Sequence, residues 1–143
     1  MGPFRFHLEK VLGWQRMQTE LEEARTRQQS AALAATRTAL ARLETARGEA
    51  GREIVQAAAC SPGDLATLAG YRRGLILRKQ SLRAQEQEGE RRLAEQRQRW
   101  MEARRKCRLL EKLKERRQAE HALLVNRELD AIAGEMFLSR WSR

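Results

Sequence analysis

The side chains that could take part in chemistry are concentrated in one basic segment, residues 97–117. Only one aromatic residue, Trp100, lies there to stack on a base, and no helix-turn-helix or zinc spacing accompanies it. A basic stripe of this kind would bind the phosphates of a nucleic acid or another acidic partner. We favour a solvated face or a protein-docking surface, and nucleic-acid binding remains an alternative. The segment holds three acidic residues and ten basic ones: Arg97, Arg99, Arg104, Arg105, Lys106, Arg108, Lys112, Lys114, Arg116 and Arg117.

Catalytic and metal-binding patterns are missing from the sequence. His7 and His121 stand far apart, without cysteine or aspartate neighbours at metal-ligand spacing. No glycine-rich loop is present to hold a phosphate. The two cysteines, Cys60 and Cys107, are expected to be small apolar fillers in a reduced, cytoplasmic chain. We therefore expect a protein that is not an enzyme and that needs no cofactor or metal, with His121 either packed or frayed at an interhelical position.

The composition is typical of long helices. Charged residues make up 34% of the 143 residues, aromatic residues 5%, and the chain has only 2 Pro and 9 Gly. The net charge of +10 is uneven, because residues 1–60 hold 9 basic and 7 acidic side chains and residues 61–143 hold 20 and 12. The N-terminal residues do not resemble a secretory signal, and no apolar run is long enough to cross a membrane. This balance indicates an α-helical coiled coil with an acidic partner.

One turn signal divides the chain. Ser61 can cap a helix that starts at Pro62, and Asp64 stands where a capping box places an acid. We predict a single-domain, all-α fold, an antiparallel two-helix coiled coil or long α-helical hairpin. Helix 1 would cover about 4–59, the turn about 60–62, and helix 2 about 62–134. Residues 135–143 would form a tail that either frays or caps the end of the hairpin.

Apolar spacing predicts how the helices meet. Folding about residue 61 pairs position i with roughly 122 minus i, which brings Leu33 close to Gly89 and Ile54 close to Leu68. Helix 2 has a heptad frame through Leu65, Leu68, Leu75, Leu82, Leu93, Trp100, Ala103, Cys107, Leu110 and Leu124. Helix 1 has an eleven-residue spacing through Ala32, Ala35, Ala39, Leu43, Ala46, Ala50, Ile54 and Ala57.

Apolar residues also gather near both ends of the chain. The first group runs from Phe4 to Met17, and the second contains Ile132, Met136, Phe137, Leu138 and Trp141. In an antiparallel pair the two groups share one end. They would either cap that end or form a docking tip for a partner.

These residues, taken in order, resemble the FliJ family of flagellar type III export proteins. The stretch from Phe4 to Leu12 is similar to the family's F-x-F-x-L-x-x-[VL]-L opening, and Glu20 and Ala24 to its E-x-x-x-A continuation. Leu68, Tyr71 and Leu75 follow the turn as they do in the family. Residues 110–117, LEKLKERR, and 128–130, ELD, are similar to its later motifs.

The resemblance implies a non-enzymatic stalk of the export apparatus, cytoplasmic and peripheral to the inner face of the cell membrane at the flagellar base. Such a stalk sits in the central opening of the hexameric flagellar export ATPase and promotes its assembly and ATP hydrolysis. It also contacts the cytoplasmic domain of the export-gate protein FlhA and the export chaperones, and it binds neither nucleic acid nor a small-molecule ligand. The equivalent stalk of a virulence-type secretion system and a structural scaffold remain alternatives.

The resemblance also assigns contact residues. Tyr71 and Leu75 would contact the export gate. For each assigned residue, packing between the helices is an equal alternative. The ATPase-facing residues would be Phe4, Phe6, Leu8, Leu12, Lys114, Glu115, Arg116, Arg117 and Asp130.

Overall fold

The computed structural model contains two long α-helices that pack against each other in opposite directions, as the sequence predicts. It describes residues 2–56, without the side chains of 54–56, and residues 61–142. Helix α1 is Glu9–Gln56 (48 residues) and helix α2 is Pro62–Trp141 (80 residues). No strand occurs within these ranges. The predicted end of helix 1 at residue 59, the turn residue Cys60 and the position of Ala57 lie outside the described residues.

The start of α2 is set by the predicted capping box. The Asp64 backbone N–H donates to the Ser61 hydroxyl at 3.2 Å, and the Ser61 N–H donates to Asp64 Oδ2 at 3.3 Å. Pro62 occupies the first helical position, where its missing N–H leaves no unmade bond. The sequence therefore located this helix start correctly.

Helix α1 begins five residues later than predicted, at Glu9 rather than Phe4. The Glu9 N–H donates to the Phe6 carbonyl at 3.0 Å and closes a turn. The preceding residues stay outside the helix, and Phe4, Phe6 and Leu8 pack into one cluster with residues of α2. Packing of these side chains outside the helix outweighs the start signal at Pro3, from which the earlier helix start was predicted.

Helix α2 continues to Trp141, past the predicted end near residue 134. Gly134 does not stop the helix, because an interior glycine costs only about 1 kcal/mol relative to alanine. No proline follows it, and Met136, Leu138 and Arg140 are good helix formers. The described part of the predicted tail, up to residue 141, is therefore helical.

The described chain divides into two compact units. The terminal unit contains the residues up to Leu21 and those from Trp100 onward, and the middle unit is Glu22–Arg99. Each unit holds one part of α1 and one part of α2.

Inside the middle unit the pairing follows the predicted register. Arg37 contacts Glu86 and Glu90 at 3.0 and 2.8 Å, and Lys79 contacts Glu44. Burial on α2 recurs at alternating steps of four and three residues, from Leu75 to Gln96. The heptad frame read from the sequence is thus confirmed here, although Leu65 at its start is 51% exposed.

The eleven-residue spacing predicted for helix 1 is wrong at its beginning. Ala32 and Ala35 are exposed, whereas Leu33 is buried and Thr36 is half-buried. The interhelical positions of α1 step by three and four residues, and six of the ten are polar. The alanines on a neighbouring face of α1 therefore formed a more regular apolar pattern in the sequence than the residues that actually contact α2. That row is Leu12, Gln15, Thr19, Glu22, Thr26, Gln29, Leu33, Thr36, Leu40 and Leu43.

Candidate partner-docking surfaces

The core of the terminal unit is a small apolar cluster. Leu12 is fully buried, and Phe6 and Cys107 are each 7% exposed beside it. Leu110 and Leu113 of α2 pack on the cluster from one side, together with the N-terminal Phe4 and Leu8. The N-terminal segment therefore packs on α2 beside the first turn of α1.

Polar contacts fix the same register in this unit. The Gln15 amide donates to the Ala103 carbonyl at 3.1 Å, and Lys114 pairs with Glu9 at 2.8 Å. His121 Nε2 donates to the Gly2 carbonyl at 3.2 Å, and its ring meets Phe4 edge-on at 5.7 Å. His121 is therefore packed between the chain segments, one of the two alternatives that the sequence left open.

The nine predicted ATPase-facing residues all belong to the terminal unit, but they differ in accessibility. Phe6 and Leu12 are buried in its core, and Phe4 and Leu8 are half-buried. This conformation gives Phe6 and Leu12 a packing role and leaves almost no side-chain surface for a partner. The partner role of the whole set stays a prediction.

The predicted residues on α2 are more accessible. Glu115, Arg116 and Asp130 are exposed, and Arg117 is paired only with Glu120, one turn away, at 3.2 Å. Lys114 is half-buried through its pair with Glu9. An incoming partner can reach the first four side chains without unfolding the cluster.

The predicted gate pair lies in the middle unit. Tyr71 is 48% exposed, whereas Leu75 is half-buried at an interhelical position. The two residues lie four apart on α2, but only Tyr71 presents a largely open surface. Gate contact stays a prediction for both.

The last part of α2 carries apolar residues that the described chain leaves uncovered. Val125, Leu129, Ile132 and Met136 recur at steps of four, three and four, and the last three are 53–67% exposed. The sequence placed Leu124 between the helices, but it is 47% exposed. We name the exposed large apolar residues of this part the C-terminal apolar surface: Leu123, Leu124, Leu129, Ile132, Met136, Phe137, Leu138 and Trp141.

The basic segment divides into two sides. Towards α1, Arg16 pairs with Glu111 at 3.3 Å, and Trp100 has its indole nitrogen buried without a hydrogen-bond partner among the described residues. Arg104 lies over the Trp100 ring at 5.6 Å. Arg105, Arg108, Lys112 and Arg116 are exposed and have no carboxylate within 4 Å in the described part of the chain.

Cys107 is buried in the apolar cluster of the terminal unit. Burial raises the pKa of the Cys107 thiol, and the nearby Glu111 carboxylate, 3.8 Å from the sulfur, raises it further. The predicted role of Cys107 as an apolar filler agrees with its place in the cluster. Cys60 lies outside the described residues.

Residues 2–56 and 61–142 contain no group of three His, Cys, Asp or Glu side chains arranged to hold a metal ion. Neither helix has a stretch in that range that is both long and apolar enough to span a membrane.

Comparisons with known proteins found no relative of this chain. No family model matches this sequence, and no curated protein or solved structure shows significant similarity to it.

Proposed function

We propose that this protein is a non-enzymatic stalk of a flagellar type III export apparatus that docks on the hexameric export ATPase through its terminal unit. The proposal combines the FliJ-like order of motifs with one structural observation, the C-terminal apolar surface. About 20 residues of α2, roughly 30 Å of helix, follow His121, which donates to the Gly2 carbonyl. A surface with this many exposed apolar side chains calls for a partner.

Charged residues next to the C-terminal apolar surface also support docking through this part of the terminal unit. Arg116 and Arg117 are exposed and precede it by one to two turns, and Asp130 lies within it. A cationic and apolar combination suits a protein partner whose contact surface is acidic at its rim and apolar at its centre.

The remaining partner assignments follow from the family resemblance alone. We propose the cytoplasmic domain of the gate protein FlhA as a second partner at exposed Tyr71, and export chaperones as transient partners. The protein would then be cytoplasmic and peripheral to the membrane at the flagellar base.

The test mixes the purified chain with the purified export ATPase and follows ATP hydrolysis and hexamer formation together. Both should rise with added chain. Leu129→Asp with Ile132→Asp should abolish the rise, and Arg116→Glu with Arg117→Glu should weaken it. Arg72→Glu with Arg73→Glu, an equal charge change on exposed residues of the middle unit, is the matched control. If hydrolysis and hexamer formation are unchanged by the wild-type chain, the proposal is wrong.

A further inference from the structure

The basic side chains of α2 form a row on the side of the helix that α1 does not cover. Met101, Arg105, Arg108 and Lys112 recur at steps of four, three and four residues. At about 100° per residue, the centre of this row lies roughly 150° around the helix from the interhelical residues between Trp100 and Leu110. We name this surface the basic face: Met101, Arg105, Arg108, Leu109, Lys112 and Arg116.

The cations of the basic face are not ion-paired within the described residues, and in this they resemble other exposed cations such as Arg72 and Arg73. Cations that point towards the other helix are paired, such as Arg16 with Glu111 and Lys114 with Glu9. The four cations of the basic face have no carboxylate within 4 Å among the described residues. Four cations without an ion pair lie along about 17 Å of helix, from Arg105 to Arg116, with one exposed acid, Glu115, among them, and their net positive charge attracts a surface of negative charge.

Apolar side chains stand among these cations. Met101 is 64% exposed and Leu109 is 61% exposed. They line one depression together with a single acid, Glu102, and with the cations Arg104, Arg105, Arg108 and Lys112. A helix face that mixes cations with exposed apolar residues is typical of contact with a membrane surface. The shallow depression at this face is lined by α2 residues alone. Among the described residues, this face therefore has no groove between two elements that would seat a peptide.

The same residues make a nucleic acid a poorer occupant. In residues 97–117, all of which are described, the sole aromatic residue is Trp100. Its indole nitrogen is buried and Arg104 covers its ring, so the ring is not free to stack on a base. The apolar side chains of Met101 and Leu109 would not be buried by contact with nucleic-acid phosphates, whereas they would be buried at the acyl boundary of a bilayer.

We infer that the basic face binds the surface of a bilayer rich in anionic phospholipid, with Arg105, Arg108, Lys112 and Arg116 at the phosphate level and Met101 and Leu109 inserted shallowly. This inference does not depend on the proposed ATPase function. It concerns an earlier stretch of α2 than the C-terminal apolar surface, and it shares only Arg116 with the proposed ATPase contact.

The test measures flotation of the full-length chain with vesicles of phosphatidylglycerol and phosphatidylcholine, and with vesicles of phosphatidylcholine alone. Binding should require the anionic lipid and should fall as salt is raised. Arg105→Gln, Arg108→Gln and Lys112→Gln together should lower the partition coefficient about a hundredfold. The matched control, Arg72→Gln, Arg73→Gln and Arg78→Gln, removes the same charge from exposed positions of the middle unit and should lower it less than tenfold.

A second measurement reports insertion directly. A Met101→Cys, Cys60→Ser chain would carry an environment-sensitive fluorophore at position 101, and the label should shift to the blue on anionic vesicles. A label at Ala24→Cys in the same background should not shift. Equal binding to neutral vesicles, full binding by the triple variant, or binding to duplex DNA or polyglutamate without binding to vesicles would each overturn the inference.

Discussion

Gly89 of α2 faces Leu33 of α1 so closely that a Cβ atom at position 89 would lie 3.2 Å from Leu33 Cδ1. Leu33 is 5% exposed, so its side chain fills the space that the missing Cβ leaves. This contact is the pairing that folding about residue 61 predicts. It identifies one position in the middle unit where a side chain of any size must displace a buried neighbour.

A larger side chain at this position should therefore destabilise the protein. Gly89→Leu should lower the free energy of unfolding by about 1–3 kcal/mol, the usual cost of overpacking. Gly74→Leu is the matched control, since nothing lies within 4 Å of a Cβ there, and it should raise stability by up to about 1 kcal/mol through helix propensity. Urea unfolding followed by circular dichroism measures both. Equal effects of the two substitutions would show that Leu33 and Gly89 are not in contact.

The apolar cluster of Phe6, Leu12 and Cys107, called the N-terminal cluster below, is expected to contribute strongly to stability. Leu12→Ala should cost about 2–5 kcal/mol, because Leu12 is fully buried and its loss leaves a cavity. Leu138→Ala, at a position 69% exposed, should change stability by less than about 0.5 kcal/mol. Thermal and urea unfolding of the two variants provide the comparison. A small effect of Leu12→Ala would mean that the N-terminal segment does not pack as described.

The pairing register should depend partly on the charge of Arg37. Its guanidinium contacts Glu86 and Glu90, and hydrogen bonds from it to these carboxylates raise the pKa of Arg37. Arg37→Glu should destabilise the protein slightly, since exposed ion pairs are individually weak. Adding Glu86→Arg and Glu90→Arg should restore most of the loss, whereas the same pair of changes alone should not stabilise. Absence of rescue would contradict the observed pairing.

Acid should weaken the protein through Glu88. Hydrogen bonds from Arg91 and then Arg92 lower the pKa of Glu88 from 4.5 to about 2. Because the folded pKa is depressed, the stabilisation is complete above pH 4.5 and is lost as pH falls towards 2. The melting temperature of Glu88→Gln should lie slightly below that of the wild type at pH 6. The difference should vanish near pH 2, and a difference that is independent of pH would contradict this origin.

The thiol of Cys107 should be slow to react. Burial raises its pKa, and the thiolate is the reactive form. In a Cys60→Ser chain, modification by a disulfide reagent at pH 8 should be at least about tenfold slower in buffer than in denaturant. Modification at the denatured rate under native conditions would show that the N-terminal cluster is open.

Much of the fold followed from the sequence because its local signals are strong. Ser61, Pro62 and Asp64 marked a helix start through backbone chemistry that needs no tertiary contact. The register followed from the position of that turn. The heptad row of α2 was legible because Leu82, Leu93 and Leu110 are large and apolar in a polar helix.

The parts that were missed depend on tertiary contacts. The α1 contact row was hidden because Gln15 and Glu22 occupy it, and such residues pack only when α2 supplies partners such as the Ala103 carbonyl and the Gln96 amide. The late start of α1 arises because Phe6 packs against Cys107, which lies about 100 residues later in the sequence. Spacing along one helix carries no information about either contact.

The antiparallel pairing is tested most directly by zero-length carbodiimide cross-linking of the unaltered chain, with peptide mapping by mass spectrometry. In the middle unit Lys79 pairs with Glu44, and in the terminal unit Lys114 pairs with Glu9 at 2.8 Å. Both links should form, and in a mixture of isotopically light and heavy chains each should join residues of the same molecule. Links that join light to heavy chains, or that connect Glu44 and Glu9 to lysines at other positions, would contradict the pairing described here.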